Sequence, residues 1–160
     1  MRTRTAVWFI CKVRYEKIQE DGLRKKVTET YVVDALSFSE AEKRITEEMS
    51  SFISGEFSVE DITKAPYKEI FFANETTADR YYKARLAFIT IDDKTEKEKR
   101  HNVTYLVQAN TLDGAVKNVN EVMGSTMIDY VSCAVQETSV MDVFESTPPK
   151  DNKSQSEAKS

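Results

Sequence analysis

The sequence is poor in the residue types that most catalytic and metal sites need. Its 160 residues include one histidine, two cysteines, four glycines and three prolines. A single histidine leaves a histidine-based catalytic pair without its second member, and two cysteines do not provide the ligand spacing of a zinc site. The motifs G-x-S-x-G, G-x-G-x-x-G and the P-loop are also missing. We therefore expect no catalytic residues, no metal and no cofactor.

Long apolar runs and a strong charge of one sign are absent as well. No stretch approaches the roughly 18 apolar residues of a membrane span, and the run at residues 6–11 is too short for a signal peptide. The formal net charge of −4 would not attract polyanions to the protein as a whole. Cys11 and Cys133 each lie in an apolar, strand-like segment, so we expect two buried, inert thiols. These features predict a cytoplasmic protein that does not contact membranes.

Two small features could suggest chemistry, and both have a simpler interpretation. His101 lies at the edge of a charged loop, where an exposed histidine without a role is the expected outcome. Asp92, Asp93 and Glu96 could collect a divalent cation, but lysines alternate with them and an acidic hairpin tip is usually just solvated.

The most informative positive feature is an internal repeat. Residues 30–49 align with residues 104–123 without a gap, at an offset of 74 residues, and eight of the twenty positions are identical. Self-similarity at a fixed offset indicates a duplicated supersecondary unit. Two unrelated strand-turn-helix segments could share the apolar pattern, but here the identity extends to lysine and glutamate positions that no core requires. The identical pairs are Thr30/Thr104, Tyr31/Tyr105, Val33/Val107, Ala35/Ala109, Ala41/Ala115, Lys43/Lys117, Glu47/Glu121 and Met49/Met123.

Each copy is predicted to contain two strands, a helix and a final strand region. Apolar residues alternate along residues 27–35, as in a half-buried strand. In each copy another strand is predicted before the repeated segment, at residues 7–15 in the first and 81–91 in the second. Ser37 and Glu40 have the spacing of a capping box at the start of the first helix, and Thr111 caps the second. The final strand regions are residues 57–72, interrupted at Pro66, and residues 128–144.

These elements predict an α+β fold of two pseudo-symmetric ββαβ repeats, with an antiparallel sheet and one helix per repeat packed on one face. The first repeat spans residues 1–73, a linker spans 74–79, and the second repeat spans 80–144. Residues 145–160 are polar and without periodicity, so we expect a disordered tail. The sequence leaves open whether the two repeats share one sheet or form two facing sheets.

Five segments together resemble a known family. They are residues 8–15 (WFxCKVRY), 26–29 (KVTE), 33–42 (VDALSFxEAE), 53–57 (ISGEF) and 141–144 (MDVF). With them, the span from residue 8 to residue 144 is similar to an uncharacterised domain-of-unknown-function family of Bacteroidetes and their phages. The resemblance implies a small protein of phages and mobile elements, and it implies no activity and no binding residues.

The clearest functional hint lies on the first strand of each copy, where alternation places an aromatic ring and two cations on one face. Rings beside cations on an open sheet face are used to stack bases and hold phosphates of single-stranded nucleic acids. Alternatively, the cations form a solvated face and the two rings pack against the other copy. These candidate residues are Trp8, Lys12 and Arg14 in the first copy and Tyr81, Lys83 and Arg85 in the second.

The sequence therefore favours a non-enzymatic protein-interaction or assembly module that self-associates through an exposed strand edge or the aromatic face. The alternative is an accessory protein that binds single-stranded nucleic acid through the aromatic and basic face. An enzyme is the least favoured interpretation, because no nucleophile has a second titratable partner.

Overall fold

The computed structural model describes residues 1–146, which form nine strands and two helices. In chain order the elements are β1 (Arg2–Thr5), β2 (Trp8–Ile18), β3 (Arg24–Asp34), α1 (Phe38–Phe52), β4 (Phe57–Lys64), β5 (Glu69–Phe72), β6 (Arg80–Ile91), β7 (Glu98–Ala109), α2 (Leu112–Gly124), β8 (Tyr130–Glu137) and β9 (Val140–Phe144). The α+β class predicted from the sequence is confirmed. Residues 147–160, most of the predicted tail, lie outside the described residues.

The strands form two sheets. The first sheet has the order β4-β2-β3-β9, and the second has the order β1-β5-β7-β6-β8. Long antiparallel hairpins, β2 with β3 and β6 with β7, form the middle of each sheet. After each helix one strand pairs with the first strand of its own hairpin, β4 with β2 and β8 with β6.

The last strand of each half crosses to the other sheet. After β4 the chain leaves the first sheet, and β5 pairs in parallel with β7 of the second. The chain returns after β8, and β9 pairs in parallel with β3. The question of one sheet or two, left open by the sequence, is answered by two facing sheets, and the predicted purely antiparallel pairing and single final strand of each repeat need correction. Each final strand region is split, at residues 65–68 and 138–139, and its second part reaches the other sheet, where it pairs in parallel with β7 or β3.

The two sheets face each other and carry one helix on each outer side. Ala41, Ile45 and Met49 of α1 pack in one buried cluster with β2 and β3, and Ala115, Val119 and Met123 of α2 pack in another with β6 and β7. A third buried cluster contains residues of both sheets and none of the helices. The layers are therefore α1, first sheet, second sheet and α2, which decides which strand faces can meet a ligand.

The helix starts follow the local sequence as predicted. The Ser37 hydroxyl accepts a hydrogen bond from the Glu40 backbone N–H at 3.1 Å, and the Glu40 carboxylate accepts one from the Leu36 N–H at 2.9 Å. Thr111 accepts from the Gly114 N–H at 3.0 Å. The Ser37 and Thr111 hydroxyls satisfy amides of the first helical turn, and the Glu40 carboxylate satisfies the amide of Leu36 just before the N-cap.

Candidate functional site

The two aromatic residues of the predicted site lie between the sheets. Trp8 is 1% exposed and Tyr81 is 3% exposed, and both belong to the cluster that contains Val32, Ile70 and Leu106. Burial, followed by the charge and hydrogen bond of Asp142, raises the pKa of the Tyr81 hydroxyl. Neither ring offers a face on which a base could stack. The structure thus places both rings where the alternative interpretation of the sequence put them, against the other half.

The four cations of the predicted site lie farther along the same strand faces. Lys12, Arg14 and Arg85 are exposed and Lys83 is half-buried. Lys12 pairs in register with Thr30 of β3, and Arg85 pairs with Thr104 of β7. Within residues 1–146 none of the four cations forms an ion pair. The cations therefore form two basic pairs, one on each sheet, and neither pair has an exposed ring from the predicted site beside it.

A buried charged cluster, which the sequence analysis did not identify, joins the ends of several elements. Asp34, 6% exposed at the end of β3, accepts hydrogen bonds from Arg44 of α1 at 2.8 Å and from Arg4 of β1 at 3.1 Å. The backbone N–H and hydroxyl of Ser146 donate to the two oxygens of the same carboxylate at 2.7 and 2.6 Å. The only sequence signal was an acidic residue at the end of an apolar strand.

Glu145 extends this cluster to the N-terminal strand. Arg2 donates two hydrogen bonds to its carboxylate, at 2.7 and 3.0 Å, and Arg4 donates one at 2.6 Å. Burial alone would raise the pKa of Glu145, but the hydrogen bonds and charges of Arg2 and Arg4 outweigh it, so the pKa is lowered. Glu145 and Ser146, assigned from the sequence to the disordered tail, therefore have specific partners in the fold.

The two thiols differ in their surroundings. Cys11 is buried beneath α1, and burial raises the pKa of its thiol to about 12 despite the opposing charge of Arg44. Cys133 is exposed, so the expectation of two buried thiols is wrong for this residue. Its strand, β8, is an edge strand, and the register with β6 shifts at Cys133, which leaves its side chain in solvent.

The acidic hairpin tip is engaged in local contacts. Asp92 accepts hydrogen bonds from the backbone N–H groups of Lys94 and Thr95 and forms an ion pair with Lys99 at 3.2 Å. These contacts, the Lys94 amide first, lower the pKa of Asp92. Within residues 1–146, no three His, Cys, Asp or Glu side chains are grouped to hold a metal ion. His101 is exposed on β7, opposite Phe88.

A groove with a volume of about 780 Å³ lies beside the outer end of the β2–β3 hairpin. Three cations and three carboxylates line it, together with Tyr15, Ile18 and Phe57. Arg24 and Glu16 approach within 3.9 Å of each other across strands. The balanced charges give the groove no preference for an anion or a cation. The charged lining residues are Arg14, Arg24, Lys26, Glu16, Glu56 and Glu60.

The sheet edges carry exposed apolar side chains. At the second sheet, Met127 is fully exposed and Ile128 and Val131 are 43% and 39% exposed, just before and within edge strand β8. At the first sheet, Met141 projects from edge strand β9, and Phe52, 69% exposed, stacks on Phe144 with ring centroids 6.0 Å apart. Unpaired strand backbone and exposed apolar side chains therefore occur together at two edges.

Comparison with known proteins identifies a family but no characterised relative. Neither the curated proteins nor the solved structures gave a match. Across residues 1–146 neither helix has the length and apolar character needed to cross a membrane. A family model matches residues 7–146, which include both hairpins, both helices and both crossing strands. The chain therefore belongs to the family described as Domain of unknown function (DUF4494).

Proposed function

We propose that the protein is a non-enzymatic interaction or assembly module that binds other proteins through its open sheet edges. The observation that carries this proposal is the exposed apolar surface beside edge strands β8 and β9. An edge strand offers backbone donors and acceptors for an added strand, and neighbouring apolar side chains supply burial on contact. Both requirements for strand addition are met at these two edges.

The state of the reactive side chains supports a non-enzymatic role. The Cys11 thiol is buried, with its pKa raised to about 12, and so carries little thiolate near neutral pH. Burial likewise raises the pKa of the Tyr105 hydroxyl to about 12, with a further contribution from the Glu69 charge. The Asp34 carboxylate is occupied by two arginines and by Ser146. These groups hold the fold together and are not free to act on a substrate.

The module is proposed to be a duplicated unit of five elements, ββαββ, and equivalent contacts in the two halves support this. Tyr31 stacks on Phe144 of the crossing strand β9 with centroids 5.4 Å apart, and Tyr105 stacks on Phe71 of the crossing strand β5 at 4.7 Å. Tyr31 and Tyr105 are also identical partners in the sequence repeat. The same ring pair therefore fixes the crossing strand on each sheet.

A second set of equivalent contacts lies at the ends of β3 and β7. Arg44 donates to the backbone carbonyl of Asp34 at 2.8 Å, and Asn118 donates to that of Gln108 at 3.0 Å. The Asp34 side chain accepts from the N–H of Ser146, two residues past β9, and the Gln108 side chain accepts from the N–H of Ala73, next after β5. Asp34 in one half and Gln108 in the other thus hold the segment that follows the crossing strand.

The cellular setting is also proposed, as the cytoplasm of a cell that carries a phage or mobile element. The sequence resemblance supports the phage association. The exposed, unpaired thiol of Cys133 is compatible with a reducing compartment, where such a thiol persists.

Binding of single-stranded nucleic acid is the second candidate function, favoured by the unpaired cations Lys12, Arg14, Lys83 and Arg85. With Trp8 and Tyr81 buried, such binding would depend on phosphate contacts, would weaken steeply with salt and would show little base preference. Fluorescence polarisation with labelled single-stranded DNA and RNA at low salt tests it. A Lys12→Ala/Arg85→Ala variant should then lose affinity, and absence of binding at micromolar native protein rejects this function.

The interaction function is tested by light scattering and by affinity capture with the full chain. We expect self-association or a defined partner, lost when a lysine is placed at an edge (Val131→Lys or Met141→Lys) and kept when it is placed on the exposed face of α1 (Thr46→Lys). A native protein that stays monomeric and captures no partner would reject the proposal.

A further inference from the structure

We propose that the partner at the second sheet is another copy of this chain, paired antiparallel through β8 about a two-fold axis between Cys133 and Ala134. This inference rests on the proposed interaction function and names its partner. The pairing would join two five-stranded sheets into one continuous sheet across the dimer.

The chemistry of β8 suits an uncovered edge that pairs with itself. Its sequence, YVSCAVQE, contains one charged residue, Glu137, and no proline. Glu137 approaches Arg80 of the neighbouring strand within 3.9 Å, so its charge is partly compensated within the chain. Within residues 1–146, β6 is the only strand paired with β8. Charged residues and proline are the common means by which proteins block such edges, and β8 has almost none of them.

Edge strand β4 of the first sheet provides an internal comparison. The register of β4 with β2 shifts after Lys12, and the register of β8 with β6 shifts after Arg85. Glu60 and Asp61 of β4 therefore occupy the positions that Cys133 and Ala134 occupy in β8. A two-fold antiparallel pair brings the centre of a strand against itself. For β4 this would oppose Glu60 and Asp61 of the two copies, which is repulsive. In β8 the equivalent residues, Cys133 and Ala134, are neutral. The two central carboxylates that oppose self-pairing are therefore present on the β4 edge and missing on the β8 edge.

The remaining positions of β8 are also compatible with the two-fold pairing. Glu137 of one copy would lie opposite Tyr130 of the other, not opposite a second carboxylate. The extra residue at the register shift, Cys133, lies beside the axis in both strands, so both strands are lengthened equally and the register on either side is kept. Val131 within β8 and Met127 just before it, both exposed in the single chain, would lie beside the interface and lose solvent contact.

The test introduces the two central carboxylates of β4 into β8 by a Cys133→Glu/Ala134→Asp double substitution. The fold should tolerate it, because Ala134 pairs with Arg85 as Asp61 pairs with Lys12. The matched control adds two carboxylates to β4 by Ser58→Glu/Thr63→Asp. Light scattering and sedimentation velocity should show a dimer for the native chain and the control, and dimerisation weakened at least tenfold for the β8 variant, with circular dichroism unchanged in all three.

Crosslinking provides a second readout that does not depend on the double variant. A short bifunctional maleimide should join the two Cys133 thiols in a Cys11→Ser background and give no product when Cys133→Ser is added. A dimer that persists in the β8 variant, or that gives no crosslink, overturns pairing through β8 and leaves the interaction function to another surface. A native chain that is monomeric but captures a different protein also overturns self-pairing through β8 and leaves the interaction function standing. A monomer that captures nothing overturns both proposals.

Discussion

Asp34 holds Ser146 by two hydrogen bonds, one from the backbone N–H at 2.7 Å and one from the hydroxyl at 2.6 Å. The same carboxylate receives Arg44 of α1 and Arg4 of β1. One buried side chain therefore joins the end of β3, the first helix, the first strand and the segment that follows the last strand. The carboxylate holds the segment just after β9 against these three elements.

Removal of this carboxylate should be costly. Asp34→Ala would leave the Arg44 guanidinium, whose side chain is 13% exposed, with only the more distant Glu48 at 3.7 Å and would release Ser146. Loss of one member of a buried ion pair typically costs about 3–5 kcal/mol. Urea unfolding of the variant measures this loss in the free energy of unfolding. Asp61→Ala, at an exposed position, is the control and should stay within about 0.5 kcal/mol of the native protein; a similarly small change for Asp34→Ala would contradict the role assigned to the cluster.

Glu145 should make stability depend on pH on the acid side. Its folded pKa lies below the ordinary value of 4.5, so its stabilising contribution is fully present above that pH and is lost as the pH falls through the folded pKa. Glu145→Gln should lower the free energy of unfolding by about 1–3 kcal/mol near pH 7, since hydrogen bonds to charged groups are lost. Thermal unfolding from pH 7 to pH 3 should show the native and variant curves converge in acid. A constant separation would exclude this carboxylate as the source.

Trp8 is the only tryptophan, so its fluorescence reports directly on the inter-sheet core. Because its side chain is buried, we expect emission shifted to the blue relative to free tryptophan in water and little quenching by iodide. Trp8→Ala should destabilise the protein by about 3–5 kcal/mol, as for other large-to-small core substitutions. Red-shifted emission that iodide quenches in the native protein would show that Trp8 is exposed, and stacking of a nucleic-acid base on it would then be feasible.

The two cysteines should react in sharply different ways. Cys133 is exposed and should be labelled at once by a thiol reagent such as dithionitrobenzoate in the native protein. Cys11 is buried, with its pKa raised to about 12, and should react only after unfolding in urea. Absorbance at the thionitrobenzoate band counts one thiol before unfolding and two after it. Labelling of both thiols in the native state would argue against the packing of α1 over β2.

The elements that could be predicted from the sequence are those specified by local patterns. Alternating apolar residues located β2, β3 and β6, the sequence repeat located β7, and the Ser37–Glu40 spacing located the start of α1. Pro66 lies in the break between β4 and β5, as its missing donor predicted. Each of these signals depends on neighbours within a few residues, so the chain alone carries it.

The features that escaped prediction depend on residues far apart in the sequence. Parallel pairing of β5 with β7 and of β9 with β3 needs no turn signal, so no local pattern reports it. Strand β1 has the sequence RTRT, without an apolar face, and is specified by its pairing with β5. Alternation correctly placed Trp8 and Lys12 on one strand face, but it could not reveal that the second sheet covers only part of that face.

The crossing strands make the two halves mutually dependent. A fragment ending after β5 would carry a strand with no β7 beside it, and its own β3 would lack β9. Separately expressed halves should therefore be poorly folded alone and recover structure only on mixing, by reciprocal complementation. Under the proposed duplication, a molecule one unit long would need to exchange that strand with a second molecule. Because both units lie in one chain, the exchange is intramolecular and independent of protein concentration.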